Sequence, residues 1–258
     1  MKQQKKVHRI FVNSELKTDT HTCSNELSHR IRNVLRMKES DELIIFNNHK
    51  NQYLCSLNFE NKIVTLTLKK SMTSDTFLKK NISLAVSIVS MKMMDLIIQK
   101  SVELGVNEFH PVYTNRSQYK DISNKISHWE KIIIHASEQS GRCELMKIYP
   151  PLTLDEYIVS NSKGPRYVLH QNGEVFSDNE LSGDHISFFI GPEGGFEDIE
   201  LNTFIKNEWK MKKISVNILR TETACISAIT LINNYESFSR HSFCLLYTSD
   251  AADESSSG

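Results

Sequence analysis

Three short segments hold the residues whose types and spacing suit chemistry. In IGPEGGF, Ile190 to Phe196, Pro192 fixes one backbone torsion while Gly194 and Gly195 permit conformations closed to other residues, so bare amides can approach a ligand closely. Taken alone, such a loop is also an ordinary tight turn. In NILRTETACISAI, Asn217 to Ile229, Thr221 or Thr223 can cap a helix start and Glu222 falls near its positive end. Arg220 fits no such structural role, because a cation just before a helix N-terminus opposes the helix dipole. A residue that breaks a local rule is where a functional demand is expected. In HASEQSGR, His135 to Arg142, the side chains of Glu138, Gln139 and Arg142 cluster within about one turn of a helix that Gly141 ends. Neither G-x-G-x-x-G nor G-x-x-x-x-G-K-[ST] occurs, which removes support for a dinucleotide fold or a P-loop.

The elements that must position these segments come in two textures. Up to about residue 70 the chain is β-rich: HRIFV, DELIIF, YLCSLNF and KIVTLTL are short runs broken by turn signals such as Asn47-Asn48. One helix is expected there over Asn25 to Met37, where Leu27, Ile31, Val34 and Leu35 recur at helical spacing, and Lys69 to Asp75 reads as a linker. From Asn81 strands and helices alternate, beginning with ISLAVSIVS and MDLIIQKSVELG, the latter stopped by Gly105. That alternation predicts an α/β domain with a mainly parallel sheet, its ligand loops at the strand ends. Residues 1–70 and 75–240 are the expected domains. The string after His241 has neither period, resembles translated adapter sequence, and marks 241–258 as a non-native, disordered tail.

Composition narrows the function classes. With 258 residues, 39% hydrophobic and 24% charged, and only 9 Gly and 5 Pro, the chain is neither fibrous nor low-complexity. Its most apolar stretch, Ile82 to Met94, is broken by Ser83, Ser87, Ser90 and Lys92, so no membrane span is expected. Met1 to Phe11 has no apolar core of a secretory signal, and five scattered cysteines without a C-x-x-C pair suit free thiols in a reducing cytoplasm. The ten histidines lack metal-ligand spacing, so no metal is expected. The 31 basic and 31 acidic side chains cancel, but nine of the basic ones against three acids lie before residue 39. Such a segment can neutralise phosphates, or simply be a solvated helix face.

Taken in order, HRIFV (His8 to Val12), VLRM (Val34 to Met37), IQKSVELGV (Ile98 to Val106), SEQSGR, IGPEGG and LRTETA (Leu219 to Ala224) resemble the RsmE-type 16S ribosomal RNA uridine N3-methyltransferases of the SPOUT superfamily. The resemblance spans roughly Val7 to Phe238. Asn33 and Asn115 depart from it, standing where family members often carry a basic and an acidic residue.

The resemblance implies a PUA-like β-barrel domain for RNA, followed by an α/β domain whose end is threaded into a trefoil knot. It implies S-adenosylmethionine bound by Leu169, His170, Gly191, Pro192, Glu193, Gly194, Gly195, Leu219 and Thr221, a homodimer, and 16S rRNA of the small ribosomal subunit as partner. Transfer of a methyl group to uracil N3 requires the enzyme to favour the base anion. A guanidinium is permanently charged, so Arg220 is expected to stabilise that charge. Glu138 or Glu222 is a proton acceptor or positioning group, with a salt bridge and a dipole-compensating cap as their respective alternatives. Arg9, Arg30, Arg32, Arg36 and Arg142 are the expected RNA contacts. Two rival functions remain at this point: a ribosome-assembly factor that keeps the fold without turnover, and a SPOUT methyltransferase acting on another RNA.

Overall fold

The computed structural model describes residues 7–14, 16, 19–47, 51–73, 80–160, 164–177 and 179–246. By internal contacts the chain divides into two units, Met1–Phe77 with Lys131–Leu145, and Leu78–Glu130 with Met146–Gly258. Segment 131–145 thus joins the N-terminal unit although it lies far along the chain, which a contiguous division at residues 70–75 does not include.

The first unit is built on β1 (His8–Phe11), β2 (Thr20–Thr22), α1 (Asn25–His29), β3 (Glu42–Phe46), β4 (Asn51–Glu60) and β5 (Ile63–Thr73). The strands form one sheet in the order β1-β3-β4-β5-β2, with β1 parallel to β3 and the other pairs antiparallel. Among the described residues no pairing joins β2 back to β1. Alternate side chains, Leu43 and Ile45, Cys55 and Leu57, Val64 and Leu66, point to one face and form its core with Ile10 and Ile31. Asn61, at φ +52°, makes the tight β4–β5 turn that asparagine tolerates. Lys69 is a bulge, since Leu54 pairs with Lys70 and Cys55 with Leu68.

Two expectations are modified here. The helix expected over Asn25 to Met37 is α-helical only to His29. It then widens into a π turn, Arg30–Val34, in which Leu35 N–H bonds Arg30 O at 2.9 Å, and it ends before Arg36 at φ +52°. Helical periodicity does not register one extra residue per turn, whereas packing does: Ile31 is wholly buried, and Ser28 Oγ accepts Val64 N–H at 3.0 Å. The stretch read as a linker from Lys69 is strand as far as Thr73, and residues 74–75 lie outside the described residues.

The second unit contains β6 (Asn81–Ser87), α2 (Met91–Glu103), β7 (Glu108–Tyr113), the first part of α3 (Ile126–Ser140), β8 (Lys147–Ile148), β9 (Leu152–Thr153), α4 (Leu154–Ser160), β10 (Arg166–Val175), β11 (His185–Ile190), α5 (Asp198–Lys206), β12 (Lys210–Lys213) and α6 (Thr221–Leu246). Every pair in its seven-stranded sheet is parallel, in the order β12-β10-β11-β6-β7-β8 with β9 also on β7. The central strands are apolar on both faces, as Ile82, Leu84, Ala85 and Val86 of β6 and Ile186, Phe188 and Phe189 of β11 show by their complete burial. On one face Phe189 packs edge-on to Phe196, Phe204, Trp209 and Tyr157. Helices α2 and α6 pack on each other, burying Ile97, Ile98, Cys225 and Ile229.

Gly105 ends α2 at φ +91°, the left-handed position only glycine adopts freely. The last helix continues past the expected end near Ser239 to Leu246, because extending a formed helix costs little. Residues 247–258 of the expected tail lie outside the described residues. Among the described residues no helix is long and apolar enough to cross a membrane, and no His, Cys, Asp and Glu group has metal-site geometry.

Candidate active site

At the C-terminal ends of β10, β11 and β12, where open parallel sheets hold their ligands, three loops enclose a cavity of about 260 Å³. All nine residues expected to bind a cofactor line it: Leu169 and His170 within β10, where its pairing with β11 ends, residues 191–195 after β11, and Leu219 and Thr221 at the start of α6. Not expected as cofactor contacts were Gln171, Ile190, Phe196, Lys213, Ile214, Ser215, Asn217, Ile218 and Ala224. Phe196 closes the glycine loop itself, and the end of KKISVNIL supplies Lys213 to Ser215; a strand end pointing at a ligand was the available signal.

The glycine loop is shaped from below and from the side. Gly195 N–H closes a turn on Pro192 O at 2.9 Å with Gly195 at φ +71°. A Cβ on Gly191 would stand 2.9 Å from the Phe196 ring, itself 7% exposed and wedged between Phe189 and Phe204. Laterally, the turn after β7 braces the loop. Arg116 donates to Gly194 O, and Asn115 Nδ2 donates to Glu197 at 2.8 Å. Buried Glu200 accepts N–H groups from Asn115 at 2.9 Å and Glu197 at 2.8 Å, the latter within the capping box that starts α5. Thus Asn115, an apparent departure from the family pattern, holds the loop through its amide.

The start of α6 differs from the expected cap. Ala224 N–H bonds Arg220 O at 2.8 Å, which makes Arg220 the N-cap residue. Thr221, 3% exposed, turns its hydroxyl away from the helix and donates to Gly191 O at 3.1 Å, tying helix to glycine loop. Glu222 lies in the first turn, near the positive end of the helix dipole; burial, with Glu222 adding to it, raises the Cys225 thiol pKa. The Arg220 side chain is exposed and has no hydrogen bond or ion pair among the described residues. It sits between two cavity residues without lining the cavity. His170 Nδ1 accepts Asn172 N–H at 3.2 Å, so its other ring nitrogen carries the proton in the neutral form.

Glu138 is not among the residues that line this cavity. It is buried in the first unit, where Arg30 grips both oxygens at 3.0 and 2.5 Å, Phe11 N–H adds 3.1 Å, and His135 lies 3.5 Å away. The salt-bridge alternative is therefore the geometry found, and it lies within one chain. With His8, Arg9, Gln139 and Gly141 this pair lines a smaller hollow of about 190 Å³. Of the arginines expected to meet RNA, Arg9 donates to Gln52, Arg142 O and Cys143, and Arg32 to Asn61 O. Arg142 is 8% exposed and donates to Glu144 O, burial pulling its pKa down to about 10. Arg36 alone of the five is exposed with no side-chain partner among the described residues.

Comparison with known proteins agrees with this geometry. The family described as RNA methyltransferase domain matches residues 77–233, and the RNA methyltransferase PUA domain matches residues 25–67. A Rickettsia conorii protein named ribosomal RNA small subunit methyltransferase E is 30% identical over 235 residues, covering 88% of this chain and 95% of its own length. The Neisseria gonorrhoeae ribosomal RNA small subunit methyltransferase E, solved with S-adenosylmethionine, superposes with a TM-score of 0.82 at 27% identity, covering 89% and 98% of the two chains. A Legionella pneumophila structure holding the cofactor SAM gives 0.83 at 27% identity over 89% and 98%.

Proposed function

The chain belongs to the ribosomal RNA small subunit methyltransferase E family, and we propose that it transfers a methyl group from S-adenosylmethionine to N3 of a uridine in 16S rRNA of the small subunit. The observation that carries this reading is the convergence of three distant segments on one cavity with an unpaired guanidinium at its rim. The cavity suits the cofactor: Leu169, Ile190, Phe196, Ile214 and Leu219 offer apolar walls, and Gly191, Gly194 and Gly195 let a ligand approach their backbone without a side chain between. When bound, S-adenosylmethionine supplies an activated methyl group on a sulfonium, a good leaving group.

The chain's own residues supply the rest. Arg220, fixed at the helix start by its backbone, presents permanent positive charge where a uracil oxygen gains negative charge as N3 loses its proton. The Thr221–Gly191 bond and the Phe196 wedge hold the cavity rigid, which favours one orientation of the reacting groups. Because base pairing occupies N3, the target uridine is unpaired or extruded. The N-terminal unit contacts RNA phosphates through Arg36 foremost, while Arg9, Arg30, Arg32 and, from segment 131–145, Arg142 order the chain through their own hydrogen bonds.

The same reading includes a homodimer, a trefoil knot and a cytoplasmic location. Val216 at 100% and Ile218 at 83% exposure, beside the cavity, support a subunit contact there. Pairing of β12 with β10, and a β10–β11 connection without a helix, support the knot. The test is incubation with labelled S-adenosylmethionine and small subunits from a strain lacking the enzyme, then nucleoside mass analysis. N3-methyluridine in 16S rRNA, lost with Arg220→Ala, is expected. Cofactor binding without methylation would move the search to other RNAs, and no cofactor binding would favour an assembly factor without turnover.

A further inference from the structure

One wall of the cavity comes from a strand that leaves its own sheet. In the β10–β12 pairing Lys212 is the register partner of both Leu169 and Glu174, so residues 170–173 are extruded between them. His170 and Gln171 of this extrusion line the cavity, as do Lys213, Ile214 and Ser215 just beyond Lys212. The extrusion presses on β12 with no room to spare: a Cβ on Gly173 would lie 2.5 to 2.7 Å from the Lys212 backbone.

Behind it lies a buried cation that the reaction does not use. The Lys212 side chain is 4% exposed, with Nζ 2.8 Å from Glu180 and 3.4 Å from both Glu174 and Val175 O. Glu180 is itself fixed, accepting Ser177 N–H at 2.9 Å and meeting Lys210 at 3.3 Å, while its carbonyl accepts Tyr167 O–H at 2.6 Å. Burial raises the Glu180 pKa, but the bonds from Lys212, Ser177 and Lys210 outweigh it and bring the carboxyl down to about 2. The ammonium therefore joins β12 to both ends of the segment that follows the extrusion.

We infer that Lys212 and Glu180 are positioning residues for the cofactor: their ion pair seats the 170–173 extrusion on β12 and so sets the His170–Gln171 wall of the cavity. Removing one partner of a buried ion pair costs stability as well as local geometry, so fold and seating are read separately in each variant. The inference rests on the assignment of this cavity to S-adenosylmethionine.

The test compares the full-length wild type with Lys212→Met and Glu180→Gln, reading S-adenosylmethionine Kd by calorimetry, melting temperature, and amide hydrogen exchange over 169–173. Expected are a Kd weakened about tenfold or more and exchange speeded at His170 to Gly173 beyond the rest of the sheet, together with a lowered melting temperature, since each single change leaves a buried charge without its partner. In turnover the KM for S-adenosylmethionine rises while that for RNA stays fixed. Unchanged Kd and exchange in folded variants would overturn the positioning role. If Lys212→Met does not fold, the milder Glu180→Gln decides by the same readings. A wild type that binds no S-adenosylmethionine would overturn the cofactor assignment itself, an outcome distinct from failure of the pair.

Discussion

His110 is the residue whose titration should be visible in the stability of the second unit. It lies in β7 at 12% side-chain exposure, stacked on Tyr149 at 4.2 Å and tilted against Tyr157 at 5.2 Å. Burial lowers its pKa from 6.5 to about 4; Glu108, 3.9 Å away, works against that shift and Lys147 adds to it. The unfolded chain takes up the proton near pH 6.5 and the folded chain only near pH 4. Between those values the unfolded state binds more protons, so stability falls as pH falls, and below the lower value this group takes nothing further away. A shift of this size corresponds to about 3 kcal/mol in full, of which about 2 kcal/mol is lost by pH 5. His110→Phe keeps the stacking and removes the titration. Urea denaturation of both proteins from pH 7.5 to pH 4 should give a wild-type curve that drops below the variant's across that window. Parallel curves, or a His110 ring-proton titration midpoint near 6.5 in magnetic resonance spectra, would refute the reasoning.

Three other perturbations separate the parts of the molecule. Gly191→Ala places a methyl group against the Phe196 ring and should cost about 1–3 kcal/mol by overpacking while weakening S-adenosylmethionine binding at least tenfold, read by denaturation and calorimetry on one preparation. Glu138→Ala leaves the half-buried Arg30 without its partner and Phe11 N–H without its acceptor; a loss of about 1–3 kcal/mol is expected, and an unchanged melting temperature would show the pair to be dispensable. Arg36→Ala should weaken RNA binding and reduce the slope of log affinity against log salt by about 1 with cofactor affinity untouched, whereas equal loss of both would place Arg36 in the fold.

What could be read from the sequence follows the range of the forces involved. The parallel sheet was legible because both-face burial leaves continuous apolar runs such as ISLAV and HISFFI, and Gly105 was legible as a helix stop because φ +91° admits little else. The cavity was legible as separate pieces, since strand-to-helix loops rich in glycine sit where such sheets bind ligands. Its assembly was not: that Thr221 spends its hydroxyl on Gly191 rather than on its own helix depends on two segments 30 residues apart in sequence. Likewise no local pattern distinguishes Glu138 as an ion-pair partner from Glu138 as a reacting group. Arg30, the cation that holds it in the structure, is 108 positions away.

The same distinction explains why the arginines divide as they do. Five cations look alike in sequence, each of a type that can reach a phosphate. Four are engaged by carbonyls, a thiol, an amide or a carboxylate, and a guanidinium that has several donors to satisfy orders the chain around it before it meets any ligand. Arg36 and Arg220 differ because each occupies a place where the backbone has a task of its own, a left-handed turn at φ +52° and a helix N-cap. Their main chains are fixed while their side chains stay in solvent. A charge held at its base and free at its tip suits recognition of an anion, which is what the proposed roles of Arg36 toward phosphate and of Arg220 toward a deprotonated uracil require.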